Sequence, residues 1–281
     1  MRALSRLRAQ PARPPFVRDL AEAYARGWVG VPCVFVLSTG RVGSQTLAAL
    51  YALSPHAHAE HEPSPVLTYA SFEAYRDRCE SPHWRTLVYG ARDETVLNAA
   101  ARGRVYVETN NRLTYLAPAL ADAFPDSRFI HLHRDPLAVI RSGMARGYFV
   151  DNGWDYARIR PRLAEPDAAL WPRMSQIERC AWWWARVNDE ALDVMGRLPP
   201  ERRLDLPAER LFGADPTTIA ALFALAGLRT PPPGGVAKVL GARLNAQGRR
   251  AAPLAAADVD AAYAFAGPTA ERLGYQRPIS G

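Results

Sequence analysis

Four short stretches carry residue types whose spacing could do chemistry, and each follows an apolar run. The first is Ser38-Thr39-Gly40-Arg41-Val42-Gly43, which breaks the run Val34-Phe35-Val36-Leu37. The chain then resumes at Ser44, Gln45 and Thr46, with Leu47, Leu50 and Leu53 at the spacing of a helical apolar stripe. A buried strand, a glycine turn and a helix start make an anion site. The first amides of the helix have no partners within it, and the positive end of its dipole adds to them. Gly40 and Gly43 let the backbone approach an anion closely, and the Arg41 guanidinium can fork onto its oxygens. The spacing is not G-x-x-x-x-G-K-[ST], so a nucleotide phosphate is the expected ligand but an ordinary ATPase is disfavoured.

The other three stretches are also strand ends, where open α/β sheets bind ligands. His61 and Glu62 end a short strand expected around His56–His61, which stops at Pro63 and Pro65. The segment HAHAEHE invites a metal reading, but strand alternation splits His56 and His58 from His61, and no distant pair completes a recognisable set. No metal is expected. Glu108-Thr109-Asn110-Asn111 ends the strand RVYVE, and this polar cluster serves equally as a helix cap or a substrate contact. Arg134 ends the strand beginning at Ser127; Asp135-Pro136 then starts a helix that carries Ser142 eight residues after the arginine, with Arg141 and Arg146 adding positive charge.

The elements that must position these residues alternate strand and helix, which predicts an α/β fold with a mostly parallel sheet. The 281 residues fit a single domain, and 48% hydrophobic residues can bury a proper core. The net charge of +7 comes almost entirely from arginine, Lys238 being the only lysine, and is spread along the chain. A polyanionic small ligand is therefore expected rather than nucleic acid. Three cysteines without C-x-x-C spacing imply reduced thiols in a cytoplasmic protein. No apolar run approaches the roughly 20 residues that a membrane helix needs.

Residues 1–14 read as a loose arm, and a helix is expected from Pro15 to near Gly27. Gly147–Pro172 is rich in aromatics, arginine and proline without a period, so it is the candidate acceptor-binding lid, with Trp154 as a candidate substrate contact. Arg173–Gly196 reads as a long helix whose Trp182-Trp183-Trp184 must point in several directions, so at least one should reach a surface or cleft. Asp215-Pro216 starts a further helix, VLGARLNAQGRR reads as a basic loop with Arg243, Arg249 and Arg250, and a last helix spans roughly Leu254–Leu273.

With these motifs in hand, the chain resembles the sulfotransferases that use 3′-phosphoadenosine 5′-phosphosulfate (PAPS), most closely the soluble bacterial and carbohydrate-type members. The likeness rests on Ser38–Thr46, on FIHLHRDPLAVIRS, on WWWARVNDEAL, on LPAERLFGADPTTIAALFALAGL and on the closing RLGY, and covers roughly residues 32–276. It implies a P-loop-type three-layer fold with helices flanking the sheet. By the resemblance, Ser38–Thr46 wraps the 5′-phosphosulfate, with Arg41 stabilising the leaving group, while Arg134, Ser142 and a loop arginine such as Arg249 hold the 3′-phosphate. The general base is then Glu62 first, His61 second and Glu108 third; Glu108, Asn110 and Trp154 are candidate substrate contacts. The implied reaction moves a sulfuryl group to a hydroxyl of a small-molecule or glycan acceptor, leaving adenosine 3′,5′-bisphosphate, with arginines rather than a metal carrying the charge. Arg41 stands where many members have lysine, and Gln45 where serine or threonine is common. Rival readings are a P-loop kinase, which the missing Walker lysine disfavours, and a non-catalytic nucleotide-binding protein.

Overall fold

In the computed structural model, residues 30–80, 82–242 and 254–278 are described. The arm over residues 1–14, the helix expected from Pro15, and Arg243, Arg249 and Arg250 lie outside them.

Five parallel strands form one sheet in the order β2-β3-β1-β4-β5. They are β1 (Cys33–Leu37), β2 (Ala57–His61), β3 (Val105–Thr109), β4 (Arg128–His133) and β5 (Arg203–Pro207). Every residue of β1 is buried. Successive side chains of a strand point to opposite faces, so both faces of the sheet are covered there. Burying Val34, Phe35, Val36 and Leu37 completely contributes roughly 1.5–3 kcal/mol each.

Helix α1 (Ser44–Tyr51) follows β1, while α2 (Thr68–Arg76) and α3 (His83–Ala101) fill the crossover from β2 to β3. After β3 come a 3-10 turn, Asn111–Leu116, and α4 (Ala117–Ala123). Helix α5 (Pro136–Met144) leaves β4, and its N-terminus is capped by the Asp135 carboxylate accepting from the Ala138 N–H, at 2.9 Å. A long irregular stretch leads to α6 (Gln176–Arg197), which starts in a capping box between Ser175 and Glu178. The chain ends with α7 (Ala208–Phe212), α8 (Pro216–Leu225), α9 (Pro233–Gly241) and α10 (Ala256–Arg272). Helix α6 packs on β4, α5 and α10, while α1 packs on β2, β3 and α9. No described helix is long and apolar enough to cross a membrane.

Two expectations are corrected. Val239, Leu240 and Gly241 finish helix α9 instead of opening a loop, because Pro233 supplies a first-turn residue that needs no donated N–H. The tryptophan triplet does point in three directions, but all three rings are buried. Trp184 Nε1 donates to the Arg134 carbonyl at 3.2 Å, and Trp182 Nε1 donates to Asp167 at 2.8 Å. Trp183 packs edge-on against Tyr148 and borders only a cavity of about 20 Å³.

Candidate functional site

The strand order reverses at β1: β3 lies on one side and β4 on the other. Chains leaving the carboxyl ends of these strands diverge, and a crevice opens between them. Here it is a cleft of about 690 Å³, within the range that holds a small molecule.

Its floor is the loop after β1. Gly40 and Gly43 have φ of 76° and 96°, and a Cβ added at either would meet Asn111 or Phe212 at 2.6 or 2.5 Å. Arg41 between them also adopts a left-handed backbone, φ 62°. Ser38 and Thr39 are buried and hold the loop's shape: the Ser38 hydroxyl accepts from the Gly40 N–H, and Thr39 Oγ1 donates to the Gly40 carbonyl. Val42 is fully buried, so its side chain belongs to the core. Helix α1 has Gly43 at its N-cap position and no side-chain cap, and Ser44, Gln45 and Thr46 of its first turn line the cleft.

Three arginines meet over this floor. Arg41 Nε donates to Ser142 Oγ at 3.3 Å, and Arg146 Nη1 donates to the same oxygen at 2.8 Å. Arg134 Nη1 donates to the Arg41 carbonyl at 3.4 Å. The neighbouring Asp135 carboxylate caps α5. Burial first, and then the charge of Arg146, lower the pKa of Arg41 from its ordinary value. A guanidinium stays protonated in proteins, so the crowding persists until an anion relieves it.

His61 and Glu62 line the opposite wall. The Glu62 N–H extends the ladder to the Thr109 carbonyl at 3.0 Å, after which its backbone turns left-handed, φ 49°. A non-glycine residue in that conformation costs about 1–3 kcal/mol. The turn takes Glu62 out of the sheet, leaving its side chain exposed on the cleft. His61 Nδ1 sits 3.0 Å from both the Thr109 carbonyl and the Thr109 hydroxyl; a neutral ring that donates from Nδ1 keeps its lone pair on Nε2.

Glu108 and Asn110 are not brought to the cleft. Glu108 is fully buried, and both its oxygens are taken: Oε1 by Arg92 Nη2 (2.7 Å) and Asn110 Nδ2 (3.1 Å), Oε2 by Arg92 Nε (2.6 Å) and Tyr106 OH (3.0 Å). A carboxylate so committed cannot accept a substrate proton, which withdraws Glu108 as a base or substrate contact. The Asn110 side chain caps the 3-10 turn by accepting from the Arg112 N–H at 2.9 Å. The same knot reaches the turn that carries Glu62, since Arg92 Nη1 donates to the Pro65 carbonyl and Asn110 Nδ2 to the Val66 carbonyl.

The stretch 147–172 forms the remaining wall through Tyr148, Asn152, Trp154 and Arg158. It is tied down rather than loose. Arg158 bonds Asp155 and lies 3.5 Å over the Tyr148 ring, Arg162 Nε donates to the Tyr75 carbonyl, and Tyr75 OH donates to the Arg160 carbonyl. Among the described residues no group of three or more His, Cys, Asp or Glu side chains could hold a metal ion. Asn111, from the polar cluster that ends β3, lines the cleft, and so do Arg112 and Phe212, which were not singled out. Arg112 carried one weak signal, its place just after the polar end of β3.

The profile of the sulfotransferase family matches residues 32–232. No curated protein matches the chain. Among solved structures, the sulfotransferase domain from the curacin biosynthetic pathway superposes with a TM-score of 0.54 at 15% identity, covering 88% of this chain and 99% of that one. Sulfotransferase STF9 from Mycobacterium avium gives 0.55 at 15% identity over 91% of this chain and 80% of that one. The sulfotransferase domain of the olefin synthase from Synechococcus PCC 7002 gives 0.50 at 15% identity, over 88% and 96%. At that identity the likeness is one of fold.

Proposed function

The chain belongs to the sulfotransferase family, and on that premise we propose that it moves a sulfuryl group from PAPS to a hydroxyl of a small-molecule or carbohydrate acceptor. The observation that carries this reading is the meeting of Arg41, Arg134 and Arg146 over a glycine loop at the start of an uncapped helix. The residues present fit such a donor. The cradle admits no Cβ at Gly40 or Gly43, and the helix start and the guanidinium cluster all favour oxyanions. The loop residues 40–46 would hold the phosphosulfate, and Arg134 with Ser142 the 3′-phosphate.

When bound, the donor supplies a sulfuryl group whose bond to a phosphate oxygen breaks as the acceptor oxygen bonds to sulfur. Arg41 and the loop amides stabilise the charge left on that phosphate oxygen, and being fixed beforehand they need not reorganise. Glu62 takes the acceptor's hydroxyl proton; its exposed carboxylate on the cleft wall supports that role. His61, whose Nε2 lone pair is free when the ring is neutral, is the second candidate. Trp154 contributes an aromatic surface for the acceptor. The three free thiols support a reducing, cytoplasmic setting.

A thermal-shift titration with adenosine 3′,5′-bisphosphate, with AMP and ATP-magnesium as controls, tests the reading. At a hundredfold excess over Kd the ligand should add about 2.7 kcal/mol of apparent stability. Arg134→Ala should lose most of it. A shift with ATP-magnesium but none with the bisphosphate would sink the proposal and favour a kinase. Bisphosphate binding without turnover on any hydroxyl acceptor would favour a non-catalytic binding protein.

A further inference from the structure

The arginines of the cleft fall into two groups, and only one is used by the reading above. Arg41, Arg134 and Arg146 surround Ser142 and the loop. Arg112, next to the Asn111 side chain that lies against Gly40, and Arg158 also line the cleft. Arg158 is committed, with Nε on the Asp155 carboxylate at 2.9 Å and its plane stacked on Tyr148. Arg112 is different. Its backbone N–H is held by Asn110, so the residue is anchored at the first turn after β3. Its guanidinium makes no hydrogen bond or ion pair among the described residues, although it lines the cleft and is only partly exposed.

A half-buried cation with no hydrogen-bonded counter-ion is unfavourable, and the cost is recovered when a ligand brings one. The planar fork suits an oxyanion with two coplanar or tetrahedral oxygens. Glu62 follows the edge strand β2, whose neighbour β3 leads into Arg112, and it lines the same cleft as both groups. A molecule whose hydroxyl meets Glu62 therefore has the Arg112 guanidinium within the same cleft to receive a second group. Trp154 and Tyr156, stacked with ring centres 6.2 Å apart and both largely exposed, offer an apolar face beside that path.

We propose that the acceptor is itself an oxyanion, a hydroxylated compound that presents a carboxylate or sulfate group to the Arg112 guanidinium while its hydroxyl lies at Glu62. This rests on the sulfuryl-transfer reading of the same cleft. It selects acidic acceptors over neutral alcohols of equal size.

The test uses the full chain saturated with adenosine 3′,5′-bisphosphate. Three probes of similar shape are titrated by calorimetry: 4-hydroxyphenylacetate, 4-hydroxyphenyl sulfate and the neutral 4-hydroxyphenylacetamide. The wild-type protein should bind at least one anion about tenfold or more tightly than the amide, and the stronger anion identifies the group. Arg112→Met should bring that ratio close to one, and Arg112→Lys, which keeps the charge but not the fork, should leave an intermediate ratio. Bisphosphate affinity should be unchanged in both variants, which reports an intact fold. Equal binding of the three probes, binding of none, or a preference that survives Arg112→Met overturns the proposal. Failure of the wild-type protein to bind bisphosphate sinks the parent reading instead, and the inference falls with it.

Discussion

Glu62 and Glu108 sit at the carboxyl ends of adjacent strands, yet they end in opposite environments. Glu108 is held within the sheet layer, where no water reaches it, and its charge is neutralised by a two-pronged Arg92 contact plus Tyr106 and Asn110. Glu62 lies one residue past the end of β2, and a left-handed turn puts it on the cleft wall. The two are nevertheless linked. The knot around Glu108 donates to the carbonyls of Pro65 and Val66, the turn that follows Glu62. One carboxylate is spent on structure, and the other is presented to the cleft on the backbone turn that this knot braces.

Substitutions at each end can break this comparison. Glu62→Gln keeps the side chain's size and should lower kcat by about 10²–10⁴-fold, the usual share of a general base, with bisphosphate affinity preserved. Steady-state kinetics with unimpaired turnover would pass the role to His61. At the other end, Glu108→Ala leaves Arg92 buried and unpaired and should cost about 3–5 kcal/mol of stability in urea unfolding. Replacing both partners by apolar residues, Glu108→Leu with Arg92→Met, should recover much of that loss. A single substitution costing well under 1 kcal/mol would mean that water reaches the knot. Smallest is Tyr106→Phe, which removes one donor to the charged carboxylate and should cost about 1–2 kcal/mol, with kcat nearly unchanged. A large fall in kcat there would show that the knot controls the placement of Glu62 more tightly than its share of stability implies.

The stretch 147–172 teaches a related lesson. Its lack of period and its proline and aromatic content were legible, but its bracing was not. Arg162 is distant in sequence from Tyr75, and only the fold brings its guanidinium to the Tyr75 carbonyl and ring. The same holds for Trp184, whose indole fixes the Arg134 carbonyl from fifty residues away.

By itself, the sequence determined the alternation of strands and helices, the glycine loop with Arg41, and the placing of Arg134, His61 and Glu62 at strand ends. These follow from local rules: apolar runs make buried strands, glycine permits positive φ, and proline after aspartate starts a helix. Tertiary structure alone decided which strand-end carboxylate faces the cleft and which is locked in the core. Glu62 and Glu108 are the same residue type in similar local sequence. What separates them is a left-handed turn on one side and an arginine sixteen residues upstream on the other. Arg112 was decided in the same way, because a cation's lack of partners is a property of everything folded around it.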